Sequence, residues 1–272
     1  MNEGSMKDVS VRASDLWFSF GTADVLTGVS MEIRQGTFVS ILGPNGCGKT
    51  TLLRAMAANI KPDKGNVLIE GRDVRNLRHR QRARMISCVR QEHEVAHDFT
   101  VSEMVKLGRS PHIPYLGFAT VADKHAVLEA MEQTGMTDFA ERRVNTLSGG
   151  ELQRVFIAQA LAQDAPVLLL DEPVSHLDIR QQYRILGLVQ KLSREKNITV
   201  LAVLHDLNLA GAFSDRIALL HNGKVRAFGT PTEVLVPDTI KEVFGIKVRI
   251  ISHPASGLPH VILDMTAGED FK

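Results

Sequence analysis

The stretch that decides the fold is Gly43-Pro44-Asn45-Gly46-Cys47-Gly48-Lys49-Thr50-Thr51, which has the spacing G-x-x-x-x-G-K-T. Its glycines permit positive φ angles and carry no Cβ, so successive backbone N–H groups can turn inward and form a nest for an anion. Lys49 adds a mobile cation for β- and γ-phosphates, and the hydroxyl of Thr50 is suited to Mg²⁺. The pattern predicts a phosphate loop, or Walker A motif, that binds a nucleoside triphosphate.

The flanks of this loop support that interpretation. Residues 38–42 are an apolar run that predicts a buried strand, and residues 51–56 predict a helix whose positive end points at the phosphates. The alternative is a chance glycine-rich turn between a strand and a helix. The order strand, loop and helix argues against that alternative.

The composition narrows the class of protein. The chain has 272 residues, and its 32 Lys and Arg against 31 Asp and Glu leave a net charge of +1, which argues against nucleic acid as the principal partner. The two cysteines, Cys47 and Cys88, have no disulfide or metal-ligand spacing, which suits a reducing cytosol. No signal-peptide pattern and no apolar run near the ~20 residues of a membrane span is visible. If the protein serves a membrane process, we expect another chain to do the spanning.

The N-terminal region reads as antiparallel strands. Residues 9–20 and 24–34 alternate between apolar and polar side chains and meet at a turn. Phe20 lies at the rim of that hairpin, where an aromatic ring could stack on a base. Because Leu16, Phe18 and Phe20 share one strand face, core packing is an equally good interpretation.

Helical periodicity begins at about residue 92. Residues from about 92 to 164 predict a helical lobe inserted into an α/β domain of residues 8–264, with a flexible tail at 265–272. Within the lobe, residues 113–118 form an apolar loop broken by proline and glycine. Such a loop either folds onto its own lobe or forms a docking surface.

The segment Leu147-Ser148-Gly149-Gly150-Glu151 opens a long helix. Ser148 and Glu151 have the spacing of a capping box, which is a sufficient structural reason for both. Capping does not require the two glycines, whereas the close approach of a phosphate to a helix N-terminus does. We therefore expect Ser148, Gly149 and Gly150 to contact a phosphate.

Two carboxylates follow an apolar strand at residues 167–170. With a phosphate loop present, Asp171 is suited to the Mg²⁺ shell and Glu172 to polarising the attacking water. Gln91 and His205 follow two other apolar strands, and ligands of open parallel sheets bind at the carboxyl ends of the strands. A core histidine is the alternative for His205, but this shared edge favours a site residue.

Together these motifs resemble the ATP-binding subunit of an ABC transporter, over residues from about 9 to 264. The fold that this implies is a P-loop NTPase core with a mainly parallel sheet, an N-terminal antiparallel β subdomain and an inserted helical lobe. The chain carries Glu151 where many relatives have Gln, and Phe20 where Tyr is commoner at the adenine-stacking position. The other resembling motifs are the Walker A loop at 43–51, the Q-loop Gln91, the signature 147–151, the Walker B strand 167–172, the D-loop 175–178 and the switch histidine His205.

The resemblance also implies the site and its partners. It implies ATP and Mg²⁺ as cofactors, with Mg²⁺ held by Thr50, Gln91 and Asp171. It implies a head-to-tail homodimer in which Walker A faces the partner's Ser148-Gly149-Gly150. The catalytic residues that it implies are Lys49, Gln91, Glu172 and His205, beside nucleotide contacts from residues 43–51 and Phe20.

Residues 43–49, residues 203–208 and the short C-terminal region resemble importers of iron-siderophore complexes, haem and vitamin B12. That resemblance implies two membrane permease subunits, an extracellular or periplasmic binding protein, and a peripheral position on the cytoplasmic face of the cell membrane. An ABC exporter subunit is one alternative. A soluble ABC ATPase of DNA repair or translation is another, although the chain shows none of the insertions or basic surfaces that those proteins usually need.

Overall fold

The computed structural model describes residues 9–90 and 98–264 of the chain. The strands are β1 Val9–Phe20, β2 Ala23–Arg34, β3 Phe38–Leu42, β4 Lys64–Ile69, β5 Arg72–Asp73, β6 Ile86–Val89, β7 Val167–Asp171, β8 Thr199–Val203, β9 Arg216–His221, β10 Lys224–Gly229, β11 Val248–Ser252 and β12 Pro259–Leu263. The helices are α1 Lys49–Met56, α2 His79–Ala83, α3 Val101–Leu107, α4 Val121–Gln133, α5 Gly149–Ala162, α6 Ile179–Lys196, α7 Leu207–Phe213, α8 Pro231–Val234 and α9 Pro237–Phe244.

The chain divides into two units. Of the described residues, 9–75 and 201–264 form the first unit, and 76–90 and 98–200 form the second. The mixed α/β architecture, with parallel strand pairs and an N-terminal antiparallel sheet, confirms the predicted fold class.

An antiparallel sheet in the order β2-β1-β4-β5 forms one face of the first unit. Val11 is paired with Ile33 on one side and Ile69 on the other, and all three side chains are fully buried. Alternation of apolar and polar residues along β1 and β2 therefore predicted both the strands and their inward faces.

The first unit also holds β3, the strand before the phosphate loop. All five of its residues are buried, as expected for a strand that is covered on both faces. β3 pairs in parallel with β9, with Ile41 opposite Ala218, and the backbone N–H of Leu204 donates to the Ile41 carbonyl at 3.1 Å. The ends of β3 and β8 therefore lie side by side.

The C-terminal hairpin of β11 and β12 is fastened to helix α7. The Asn208 side chain donates to the Val261 carbonyl at 3.1 Å and accepts from the Val261 N–H at 2.7 Å. Asp206 caps the same helix by accepting from the N–H groups of Asn208 and Leu209. The two strands pair antiparallel, with Ile250 opposite Val261.

Helix α5 forms the centre of the second unit. Its residues Val155, Ile157 and Ala158 are fully buried, and α3 crosses it so closely that a Cβ on Gly108 would collide with the Gln159 carbonyl oxygen. Beside it, β6 and β7 pair in parallel, with Val89 opposite Leu170. The helix packs against β6, the neighbour of the strand that carries the predicted site carboxylates.

Capping residues set the ends of the shorter helices in this unit. Thr100 and Thr120 each accept from the N–H three residues later, at the starts of α3 and α4. Helix α6, which the sequence analysis did not predict, is capped by Asp178 at its start and by Asn197 with φ +55° at its end. Within the described residues, no helix has the length and apolar character needed to cross a membrane.

A buried ion pair joins α4 to the end of α3. The Arg109 Nε donates to Asp123 Oδ1 at 2.9 Å, and a second guanidinium nitrogen donates to the Ala162 carbonyl at 2.8 Å. Hydrogen bonds from the Thr120 N–H and hydroxyl, with that from Arg109, lower the pKa of Asp123 to about 2. The Asp123 carboxylate thus joins α4 to Arg109 after α3, and Arg109 in turn contacts the last residue of α5.

Replacing Asp123 by Asn should lower the free energy of unfolding at neutral pH, because the neutral amide leaves Arg109 without its buried counter-charge. The folded pKa of about 2 lies below the unfolded value of ~4, so the stability that the carboxylate contributes is present above ~4 and is lost as the pH falls through ~2. Denaturant unfolding at a series of pH values should show a gap between parent and variant that narrows toward low pH. A gap of constant width would contradict this, and Asp138→Asn, at an exposed site in the same unit, is the control.

Candidate functional site

The phosphate loop turns through three glycines with positive φ, at +151° for Gly43, +78° for Gly46 and +102° for Gly48. A Cβ on Gly43 would run into the Leu220 carbonyl and come within 2.7 Å of the Cys47 Sγ. A Cβ on Gly48 would lie 2.8 Å from the Val25 carbonyl oxygen. Two of the glycines are therefore required by the surrounding backbone as well as by their conformation.

Lys49 begins helix α1 and is buried, with 6% of its surface exposed. Its Nζ donates to the carbonyls of Gly43 at 2.8 Å and Pro44 at 2.9 Å, so the ammonium group is held inside the curve of the loop. Thr50 and Thr51 follow in the first turn of the same helix. The positive end of α1, the loop N–H groups and Lys49 thus place positive charge together, which suits a polyphosphate.

The thiol of Cys47 lies inside the loop and is 7% exposed. Burial raises the pKa of the thiol above its ordinary value, and the charge of Lys49 opposes this only in part. Of the two interpretations, an accessible thiol or a buried small side chain, the structure supports the second.

His205 follows β8 in the same unit as the phosphate loop, and its side chain is exposed. The core-histidine interpretation is therefore wrong. Since β8 is the neighbour of β3, His205 and the phosphate loop both lie at the carboxyl ends of adjacent strands, as the sequence predicted. The Asp206 cap on α7 fixes the chain directly after the histidine.

Phe20 ends β1 and is 58% exposed. Its ring meets the ring of Phe18 edge to face at 4.8 Å, while Leu16 on the same strand face is fully buried. The core-packing interpretation of Phe20 is therefore wrong, because the strand leaves the core before it reaches this residue. Stacking of Phe20 on a base stays a prediction.

Asp171 is the last residue of β7 in the second unit and Glu172 follows it, and both are partly buried. Glu172 has a left-handed φ of +52°, a costly conformation for a residue with a side chain. The Ser175 hydroxyl and N–H both donate to the Glu172 carbonyl, at 2.9 and 3.2 Å, and close this turn. The turn fixes the direction in which the Glu172 carboxylate leaves the strand end.

Ser148 caps α5, and its N–H and hydroxyl both donate to Glu151 Oε2 at 2.8 Å. These bonds lower the pKa of the Glu151 carboxyl. Ser148 and Gly149 are exposed, whereas Gly150 is buried and a Cβ there would come 2.8 Å from Gln181 Oε1. Close packing against the Gln181 side chain is therefore a second reason for a glycine at position 150, besides the predicted phosphate contact.

One predicted site residue and one groove do not belong to the clusters described above. Gln91 lies outside the described residues. A groove of about 710 Å³ in the first unit contains none of the predicted site residues, and its lining consists of Trp17, Thr27, His221, Asn222, Lys224, Val225 and Arg226. Sequence reasoning did not identify the Val25 and Leu220 carbonyls that press on the loop glycines, because no local pattern marks a long-range backbone contact.

A phosphate loop after a buried strand, a carboxylate pair after a second strand and a capped glycine-containing helix start define a nucleotide-hydrolysing cassette. The family model described as ABC transporter matches residues 26–175, more than half of the chain. The chain belongs to the ABC transporter family and is one of its ATPases.

Several characterised proteins are similar over almost the whole chain. The ferric enterobactin transport ATP-binding protein FepC of Escherichia coli is 39% identical over 252 residues, which cover 93% of each chain. The hemin import ATP-binding protein HmuV of Bordetella bronchiseptica is 40% identical over 90% of this chain and 96% of its own. The cobalamin import ATP-binding protein BtuD of Halobacterium salinarum is 45% identical over 86% of this chain, which spans 58% of that longer protein.

Solved structures show the same fold. A metal-chelate type ABC transporter in an inward-facing conformation matches with a TM-score of 0.83 and 25% identity, over 95% of this chain and 99% of that one. A dimeric ATP-binding cassette bound to ADP and Pi matches with a TM-score of 0.70 and 32% identity, over 81% of this chain and 98% of that one.

Replacing Lys49 by Ala should weaken ATP binding about ten- to a hundredfold, since a charge-assisted hydrogen bond contributes ~1.5–3 kcal/mol. The variant loses the ammonium group that is held inside the loop. Titration with a fluorescent ATP analogue measures the change. Lys61→Ala, at an exposed position after α1, is the control, and unchanged affinity in the Lys49 variant would refute the assignment.

A maleimide should label Cys47 slowly in the folded chain and rapidly in denaturant, because the thiol is buried and its raised pKa reduces the thiolate fraction. The labelling rate should continue to rise with pH beyond the range of a free cysteine. Mass spectrometry on a Cys88→Ser background follows this one thiol. Labelling of the native chain as fast as a free thiol would contradict the buried assignment.

Proposed function

We propose that the chain is the ATP-hydrolysing subunit of an importer for a metal chelate, namely an iron-siderophore complex, haem or cobalamin. The observation that carries this proposal is similarity of about 40% identity over almost the whole chain to ATP-binding proteins of ferric enterobactin and hemin import. The match to a metal-chelate type transporter over 95% of the chain supports it. In the proposed complex other chains contact the cargo, so this chain alone does not decide among the three.

In the proposed site the phosphate loop and Lys49 bind the triphosphate of ATP. The loop N–H groups and the start of α1 provide directed donors, and the buried ammonium group exchanges its two carbonyl acceptors for phosphate oxygens. The exposed ring of Phe20 stacks on the adenine. These groups bind and orient ATP without taking part in proton transfer.

Mg²⁺ is the metal that suits this set of ligands. Among residues 9–90 and 98–264 no cluster of three or more His, Cys, Asp or Glu side chains could hold a metal by itself. The hydroxyl of Thr50 and the carboxylate of Asp171, with Gln91, are hard oxygen donors, which Mg²⁺ accepts together with phosphate oxygens and water. When bound, the metal neutralises charge on the phosphates.

Glu172 and His205 are proposed to act on the attacking water. A carboxylate can accept a proton from that water, and the strained turn at Glu172 holds this group at the end of β7. His205 is exposed at the end of β8 and is proposed to contact the transferred phosphate. ATP hydrolysis would then remove the γ-phosphate, on whose transfer both residues are proposed to act.

The proposed active form is a head-to-tail dimer of this chain. The N-terminus of α5 carries an exposed Ser148 and Gly149, which are suited to a phosphate that another copy binds. A dimeric cassette of the same fold bound to ADP and Pi supports this arrangement. Removal of the γ-phosphate would release the two copies, which is a nucleotide-gated switch.

The proposed partners are two integral permease subunits and, through them, an extracellular or periplasmic binding protein. The chain would sit as a peripheral subunit on the cytoplasmic face of the membrane, without a nucleic-acid partner. Affinity purification from membranes tests this arrangement. Co-purification of a polytopic membrane protein is expected, whereas recovery of ribosomes or nucleic acid alone would contradict the transporter assignment.

Glu172→Gln should bind ATP normally and hydrolyse it ~10²–10⁴ times more slowly, because glutamine keeps the size of the side chain but cannot accept a proton. With the γ-phosphate retained, the variant should accumulate as a dimer in sedimentation experiments with ATP and not with ADP. The added change Ser148→Arg should abolish this dimer. Turnover within a few-fold of the parent would remove Glu172 from the proposed base role.

A further inference from the structure

The loop between α3 and α4 ends in an exposed apolar tip. Tyr115, Leu116 and Phe118, which we call the aromatic tip, are 98%, 91% and 93% exposed. A tight turn, in which the Gly117 N–H donates to the Pro114 carbonyl at 2.9 Å, presents them together. The interpretation that this loop folds onto its own lobe is therefore wrong for these three side chains. Their exposure indicates a surface that something else covers.

A basic segment supports the base of the same loop. Residues 78–84 have the sequence Arg-His-Arg-Gln-Arg-Ala-Arg. Arg80 Nε and Arg84 Nε each donate to the Pro111 carbonyl at 3.0 Å, and Arg80 also donates to the Ile113 carbonyl. The aromatic tip and the basic segment thus form one continuous surface within the second unit.

Charge is concentrated strongly on this surface. Residues 76–90 and 109–119 contain six arginines and neither Asp nor Glu. Arg109 is buried and paired with Asp123, and Arg90 follows β6 at the strand end beside Asp171, so the four arginines of the basic segment remain for the surface. Since the whole chain carries only +1, the rest of the chain carries −5. Such an asymmetry favours a partner with many negative charges.

The surface lies away from the proposed phosphate contact of the same unit. His112 Nε2 donates to the Gln163 carbonyl at 2.8 Å, which places the loop at the C-terminal end of α5. Ser148 caps the other end of that helix, and its fourteen residues span ~20 Å. Changes to the aromatic tip are therefore separable from changes to the nucleotide site.

We propose that the aromatic tip and the basic segment bind directly to an anionic lipid bilayer. Tyrosine and phenylalanine rings suit the headgroup region, where their apolar bodies insert without needing a preformed pocket. Arginines beside them meet the negative surface potential of acidic phospholipids. A protruding tip fits a deformable surface better than a rigid protein face, and the net charge of only +1 argues against nucleic acid. The binding does not depend on which cargo the transporter carries.

Flotation of the full chain with lipid vesicles tests this proposal. The parent chain should bind vesicles that contain phosphatidylglycerol and should bind pure phosphatidylcholine much more weakly, with the difference shrinking at high salt. Changing Tyr115, Leu116 and Phe118 together to Ser should abolish binding. Arg78→Gln with Arg82→Gln, which spares the two arginines that hold the loop, should weaken anionic binding ~25-fold, since ~1 kcal/mol per charge is about fivefold.

Helix α6 provides the matched control. Tyr183 is half exposed and Arg184 is exposed in the same unit, so Tyr183→Ser with Arg184→Gln removes an aromatic ring and a charge elsewhere. This control should bind vesicles as the parent does. ATP affinity, measured for every variant, verifies folding and separates this proposal from the proposed function, because a chain that binds ATP but not vesicles overturns only the lipid contact.

Tryptophan fluorescence gives a direct readout of insertion. The chain has one tryptophan, Trp17, in the first unit, so Tyr115→Trp adds a reporter at the tip. Its emission should shift to the blue with phosphatidylglycerol vesicles, and the parent emission should not. The proposal is overturned by equal binding to neutral and anionic vesicles, by an unchanged emission, or by a serine variant that still floats but no longer co-purifies with a membrane protein. The last result would assign the tip to a protein partner.

Discussion

Close backbone contact around the phosphate loop is the constraint on which the rest of the site depends. The Leu220 carbonyl lies against Gly43 and the Val25 carbonyl against Gly48, so a strand on each side leaves no room for a Cβ. These contacts fix the shape of the loop before a ligand binds. Within the loop, the carbonyls of Gly43 and Pro44 accept hydrogen bonds from Lys49 Nζ. Binding therefore requires little reorganisation beyond an exchange of hydrogen-bond partners.

The second unit fixes its site residues by a different device. Asp171 ends β7, whose other four residues are buried, and Glu172 adopts a left-handed conformation that Ser175 stabilises from the following turn. Ser148 in turn depends on a capping box with Glu151. Each group is thus positioned by hydrogen bonds within a few residues of itself. Local bonds of this kind fix the direction of each group within its own unit.

Much of the fold could be predicted because its signals are local. β3 is apolar at four of its five positions, Thr100 and Ser148 start helices with capping boxes, and Asn222-Gly223 marks a hairpin. Helix α6 was missed although its buried residues Ile185, Leu186, Val189 and Leu192 have the spacing of one helix face, so the local signal was present. The state of Cys47 was open because its burial depends on the fold around the loop. The roles of the site residues rest on ligands and partners, which lie beyond a single chain.

The clamp between Asn208 and Val261 makes the C-terminal hairpin part of the mechanical support of the helix that follows His205. A shortened chain that ended before Val261 would leave both polar atoms of that amide without these acceptors and donors, and would loosen the start of α7. Any shift of the hairpin, by an attached domain or a neighbouring subunit, would reach the histidine through two hydrogen bonds and one short helix. The C-terminal hairpin is thereby coupled to the position of His205 at the carboxyl end of β8.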